Sequence, residues 1–117
     1  MPRVDRPLLD ELLTIAERPA LAWEAFHPGV EIHRLWEDPG GESAALLRYA
    51  PGGSVPRHRH EGHEHVFVLR GSQRDEHGLY TAGSHRISPP GTTHAVDSPQ
   101  GCLVLVVWER PNTSVDG

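Results

Sequence analysis

Cysteine is almost missing from this chain. With Cys102 alone, no intrachain disulfide can form, and a zinc module built on cysteines is excluded. Long apolar runs are missing too: none approaches the roughly 20 residues needed to cross a bilayer, so no membrane partner is expected. The opening stretch MPRVDRPLLDELL sets acids among its leucines and lacks the uninterrupted apolar core of a signal peptide. A cytoplasmic protein is the expectation. Positive charge is in short supply, with 11 basic against 16 acidic residues and a net charge of −5. That leaves no basic footprint for nucleic acid. Low-complexity segments and clear internal repeats are also lacking. What is abundant is histidine, nine of 117 residues, in a chain long enough for one domain.

Residues 7–18, PLLDELLTIAER, read as a short helix. Leu8, Leu9, Leu12, Leu13 and Ala16 recur at helical spacing, Asp5 is placed to cap the start, Pro7 suits the first turn and Pro19 ends it. After Pro28-Gly29 the pattern turns to short alternating runs. Strands are expected at Val30–Trp36, Ala44–Tyr49, Val55–His60, Glu64–Leu69, Ser84–Ser88, Thr93–Val96 and Cys102–Glu109, with a turn at His77-Gly78 inside 75–80. Glycine and proline clusters separate them. Many short strands with frequent turns indicate an all-β sandwich or barrel. The expected division is an N-terminal helical extension over 1–22, a barrel domain over 23–110 and a flexible tail over 111–117.

The densest histidine stretch is PRHRHEGHEHVFVLRG, residues 56–71. Residues two apart on a strand share a face, so His58 and His60 point together. Gly62 bends the chain, and Glu64 then starts the next strand beside His60. His94 stands at another strand start, just past Pro89-Pro90-Gly91. His58, His60, Glu64 and His94 thus form a candidate site of three imidazoles and one carboxylate, a donor set suited to a divalent ion such as zinc, iron, nickel or manganese. A polar surface run explains a stray HxH pair equally well, and on spacing alone the two readings stand level. Zinc-protease patterns fail here: HExxH needs histidine at position 64, which is Glu64, and HxxEH needs glutamate at position 63, which is His63.

These residues resemble the cupin superfamily. Its first motif, G-x5-HxH-x3,4-E-x6-G, is matched by Gly52, His58, His60, Glu64 and Gly71 with every gap correct. Its second, G-x5-PxG-x2-H-x3-N, is matched by Gly83, Pro89, Gly91 and His94, with Ser98 in place of the final asparagine. The stretch DEHGLYTAGSHRISPPGTTH, followed by Gly101-Cys102, is most similar to the ChrR-type cupin domain, the zinc-binding C-terminal half of certain anti-sigma factors. The resemblance spans about residues 23–109. It implies a single small jelly-roll β-barrel with one divalent ion held by His58, His60, Glu64 and His94. Those anti-sigma factors grip the sigma factor through an N-terminal helical zinc module with His and Cys ligands, which this sequence lacks before Cys102. The cupin half alone is what the resemblance covers.

Besides a structural ion in a stable dimer with no turnover, two functional classes follow. One is a binding or sensing domain whose ion holds a small molecule or meets an oxidant. The other is a metal-dependent oxygenase acting on a small oxygenated substrate such as a diketone, implied by resemblance to small dioxygenase cupins. A homodimer is expected because both faces of Val66-Phe67-Val68-Leu69 are apolar. Of the remaining residues, His63 falls at the rim of the site and His65 faces away from it. His27, His33, His77 and His85 read as surface, and Cys102 reads as core. Tyr80 and Trp36 read as core packing, with lining the barrel as the alternative. Arg48, in an apolar strand, is a candidate for holding a substrate carboxylate if it points inward.

Overall fold

The computed structural model describes residues 6–115, with side chains from residue 11 onward. One helix, α1 (Arg6–Ala16), precedes ten strands: β1 (Glu24–His27), β2 (Val30–Glu37), β3 (Ser43–Tyr49), β4 (Gly53–Arg59), β5 (Glu64–Asp75), β6 (Gly78–Thr81), β7 (His85–Ser88), β8 (Thr93–Ser98), β9 (Cys102–Trp108) and β10 (Thr113–Ser114). All pairings are antiparallel, in the order β1-β2-β3-β9-β5-β8-β4-β10, with β6 and β7 also on β5. The sheet curls into a small barrel of the cupin type. No helix among the described residues is long and apolar enough to cross a membrane.

The helix ends before Pro19, as its sequence requires; Asp5, the expected cap, lies outside the described residues, as do the side chains of Leu8 and Leu9. A helix this short is marginal in isolation. Here Leu13 and Ala16 join Leu46, Leu103, Trp23, Leu35, Leu69 and Leu105 in a small cluster on the outside of the barrel. The alternate residues of the same strands, among them Ala45, Leu47, Val66, Val68, Val104 and Val106, fill the inside. The strands β3 and β9, and β5 at Leu69, are therefore covered on both faces, which is why Leu46–Leu47 and Leu103–Val106 run apolar rather than alternating.

Three elements differ from the sequence expectation. Gly71 does not end β5 but bends it. A Cβ there would sit 2.2 Å from the carbonyl oxygen of Gly101 and 2.9 Å from Cα of Cys102, at φ +77°, so only glycine allows the approach. Together with a register shift between Val68 and Arg70, this carries β5 from its β7 and β9 partners across to β6 and β8. Ser98, in the motif's asparagine position, holds the bend: its hydroxyl, fully buried, donates to the Ser72 carbonyl. Second, residues 111–115 carry β10, paired as Thr113↔Arg59 and Ser114↔His58, where a flexible tail was expected. Third, β1 extends the sheet at Glu24–His27, ahead of the first expected strand.

Candidate metal centre

The site is assembled by the turn at 89–92. The Gly91 amide donates to the His60 carbonyl at 2.7 Å, and the His60 amide donates to the Thr92 carbonyl at 2.9 Å. These bonds lock the end of β4 to the start of β8 and put His58 opposite His94. The ladder skips a step between Val55 and His58, where Pro56 lacks the amide that a regular pairing needs. Beyond Gly62 the chain turns back, and Glu64 enters from β5. All four residues anticipated from spacing meet here: one donor atom from each of His58, His60, Glu64 and His94 lies within 4.8 Å of every other. Two donors sharing one ion at about 2.1 Å are at most about 4.2 Å apart, so the set needs to close by well under an ångström. His60, Glu64 and His94 are buried; His58 is half-buried.

Each imidazole is aimed by a bond on its far nitrogen. Nδ1 of His60 lies 3.0 Å from the Thr92 carbonyl and 2.9 Å from its hydroxyl. Nδ1 of His94 is 3.1 Å from Asp75 Oδ2, and Nδ1 of His58 is 3.0 Å from the Pro56 carbonyl. Acceptors on every Nδ1 place the proton there and leave Nε2 as a lone pair, the form a metal requires. Nε2 of His94 is buried with no hydrogen-bond partner. A buried acceptor without a donor is costly unless a cation meets it. These residues therefore fit a divalent ion.

Glu64 is oriented in the same way. Its Oε2 accepts from Trp108 Nε1 at 2.6 Å and from Asn112 Nδ2 at 2.8 Å. Its Oε1 faces the imidazoles, 3.2 Å from His60 Nε2 and 3.9 Å from His94 Nε2. Burial alone would push the carboxyl up, but a hydrogen bond from Asn112, one from His60 whenever its Nε2 carries a proton, and the charge of protonated His60 and His58 outweigh it and hold the pKa at about 2. Burial, with a smaller push from His58, lowers His94 against the pull of Glu64 and Asp75. One fixed carboxylate and a neutral imidazole are thus ready at neutral pH. Asp75 is itself held by the Arg86 guanidinium and by the His77 amide.

His58, Glu64 and His94 open onto a cavity of about 580 Å³. Its interior wall is largely valine, with Leu47, Tyr49 and Gln73. His27 is part of this wall and half-buried, so it is not the surface residue its scattered position suggests. Other residues fall as follows. Arg48 lies on the outer side, with Nη2 2.7 Å from Glu31 Oε1 and its guanidinium 4.2 Å from the Trp23 ring centre, so it holds no ligand in the cavity. Trp36 is 45% exposed and packs in no core, because the β2 ladder shifts between Arg34 and Trp36. Tyr80 packs on the core with Arg86 over its ring. His63 bonds Glu109 at the rim, His33 bonds the Ala22 carbonyl, and His77 is exposed. His65 and His85 pair on the outer face. Cys102 is core, and burial pushes its thiol up to about 11.

Sequence spacing did not reveal Asp75, Thr92, Trp108 or Asn112, the residues that orient the candidate ligands. Only Trp108 had a usable signal, because it shares a period-two face with Val104 and Val106.

A family model described as the ChrR cupin-like domain matches residues 13–111. No curated protein matches the chain. Among solved structures, that of Rhodobacter sphaeroides SigE in complex with the anti-sigma ChrR is 30% identical over 92% of this chain and 59% of that one, with a TM-score of 0.74. The polyketide cyclase RemF from Streptomyces resistomycificus is 25% identical over 100% of this chain and 87% of its own, at 0.68. An acetylacetone dioxygenase from Acinetobacter johnsonii, at 19% identity, 80% and 72% coverage and a TM-score of 0.75, shares the fold. The chain spans 59% of the length of two of the structures it matches, the SigE–ChrR structure among them.

Proposed function

The chain belongs to the ChrR cupin-like domain family, and from that premise we propose that it binds a small molecule on a divalent ion inside the barrel, as a binding or sensing domain. The observation that carries this reading is the placement of the four-donor cluster beside a cavity of valine-rich interior wall, onto which His58, Glu64 and His94 open. The ion, once bound, acts as a Lewis acid toward an oxygen-bearing ligand. The protein's own part is to hold three imidazoles and one carboxylate in their metal-binding forms, to exclude water with a valine wall, and to admit the ligand past His58. Glu64, fixed by Trp108 and Asn112 and ionised down to about 2, serves as a ligand rather than as a proton acceptor. Sensing an oxidant through Cys102 is disfavoured, since a buried thiol near 11 supplies almost no thiolate. Zinc, iron, nickel and manganese all suit the donor set.

The reading has 23–110, together with Asn112 and β10 just beyond it, as the functional unit and includes a homodimer. Support for a second copy comes from the outer face of β7, where Ile87 is 53% exposed beside His65, close to Phe67 and His85. Cobalt-loaded protein tests ligand access. Adding acetylacetone is expected to change the visible absorption bands of the cobalt; an unchanged spectrum at saturating concentration would count against the reading. A second reading, an oxygenase acting on a small diketone, is favoured by the room that the same cavity leaves beside the cluster. Oxygen uptake by iron-loaded protein with acetylacetone separates the two.

A further inference from the structure

The cavity wall carries a polar pair that the metal cluster does not use. Gln73 and Tyr49 are 3% and 4% exposed and both line the cavity that His58, Glu64 and His94 also line. The bend at Gly71 delivers Gln73 there, two residues past the bend and two before the end of β5. Gln73 Nε2 donates to the Tyr49 hydroxyl at 3.2 Å, while its Oε1 is buried without any partner. The hydroxyl of Tyr49 accepts that bond and keeps its own proton to give. Burial raises its pKa well above the usual phenol, so it stays protonated.

The pair therefore presents one acceptor and one donor side by side. A ligand hydroxyl matches both, donating to Gln73 Oε1 and accepting from Tyr49. The match survives turning the amide over: Tyr49 then donates to the carbonyl, and an amide N–H meets the oxygen of the same hydroxyl. A charged group finds no counter-charge beside the pair. Arg34, Glu37, Asp38, Glu42 and Arg57 line the cavity as well, but all five are exposed. Between the pair and the cluster the wall is apolar, with Leu47, Val66 and Val106.

We infer that Gln73 and Tyr49 form the recognition subsite of the cavity, taking an uncharged hydroxyl at one end of a ligand whose other end is an oxygen donor to the ion. A short apolar body spans the valines between. This assignment rests on the metal-bound-ligand reading above and names the class of ligand for it: hydroxy acids and related neutral alcohols with one metal-binding oxygen group.

Calorimetry on zinc-loaded protein tests it, with short ω-hydroxyalkanoates against unsubstituted alkanoates of the same chain length. The best-fitting hydroxy acid is expected to bind about tenfold more tightly than its partner, as one buried hydrogen bond allows. Gln73→Leu is expected to erase that preference while zinc content is unchanged and the melting temperature is held or raised. An amide with only a structural role would instead lower the melting temperature and leave the preference intact. If Gln73→Leu does not fold, Tyr49→Phe carries the same comparison. Equal binding of the two probes by the wild type overturns the subsite alone. So does a preference that persists in both variants. Binding of neither probe overturns the subsite together with the ligand-binding reading.

Discussion

Along β5 the side chain of Glu64 points into the barrel and that of His65, one residue on, points out, and each meets histidines. Inside, Glu64 faces His58, His60 and His94. Outside, Nδ1 of His65 lies 3.0 Å from Nε2 of His85, whose ring stacks 4.2 Å from that of Phe67. Close imidazoles are common to both sites. The inner set adds three things: an acceptor behind every Nδ1, a carboxylate already ionised, and removal from water. The outer pair uses its ring nitrogens on each other, has no carboxylate, and is open to solvent at His85. Histidine density does not make a metal site; the second layer of hydrogen bonds and the burial do.

The contrast can be broken from the inside. His60→Ala removes a buried member of the proposed ligand set, and metal binding measured by chelator competition is expected to fall beyond detection. Asp75→Asn leaves every ligand in place but disturbs the bond that aims His94. Its expected cost is about 10–100-fold in metal affinity, by the same competition. An unchanged affinity would show that the outer layer is decoration.

Acid is the third lever, and its sign follows from the two shifts. His94 is lowered from its ordinary 6.5, so the unfolded chain takes up a proton there before the folded one does. Metal-free protein should therefore lose stability as pH falls from about 6.5 toward that lowered value. Glu64 is held at about 2 against an ordinary 4.5, so its contribution is present above 4.5 and is lost as pH falls toward 2. Thermal melts across pH in the presence of chelator check both windows. The smallest effect is expected outside: His65→Ala with His85→Ala should leave metal affinity unchanged and shift stability by about 0.5 kcal/mol or less per site, as exposed positions do.

The inner set was legible because strand geometry and the two cupin motifs fix it: His58 and His60 are two apart, and Gly91 and His94 sit at a fixed distance after the turn. What supports the site was not legible. Trp108 reaches Glu64 across 44 residues and Asn112 across 48, through pairings that no local pattern encodes. Asp75 was hidden because Gly71 reads locally as the end of a strand, while in three dimensions it is the bend that lets β5 go on. Arg48 misled for a related reason. In a strand buried on both faces, alternation no longer tells inside from outside, and the helix with Trp23 covers the outer one. Trp36 misled because one register shift reverses a strand's faces.

The contrast comes down to uptake of an ion by the inner cluster and not by the outer pair. It is tested most directly by elemental analysis of untagged protein purified without chelator, beside His94→Ala and the His65→Ala/His85→Ala double variant. Roughly one divalent ion per chain is expected in the wild type and the double variant, and none in His94→Ala. Metal retained by His94→Ala, or lost only from the outer double variant, would contradict it.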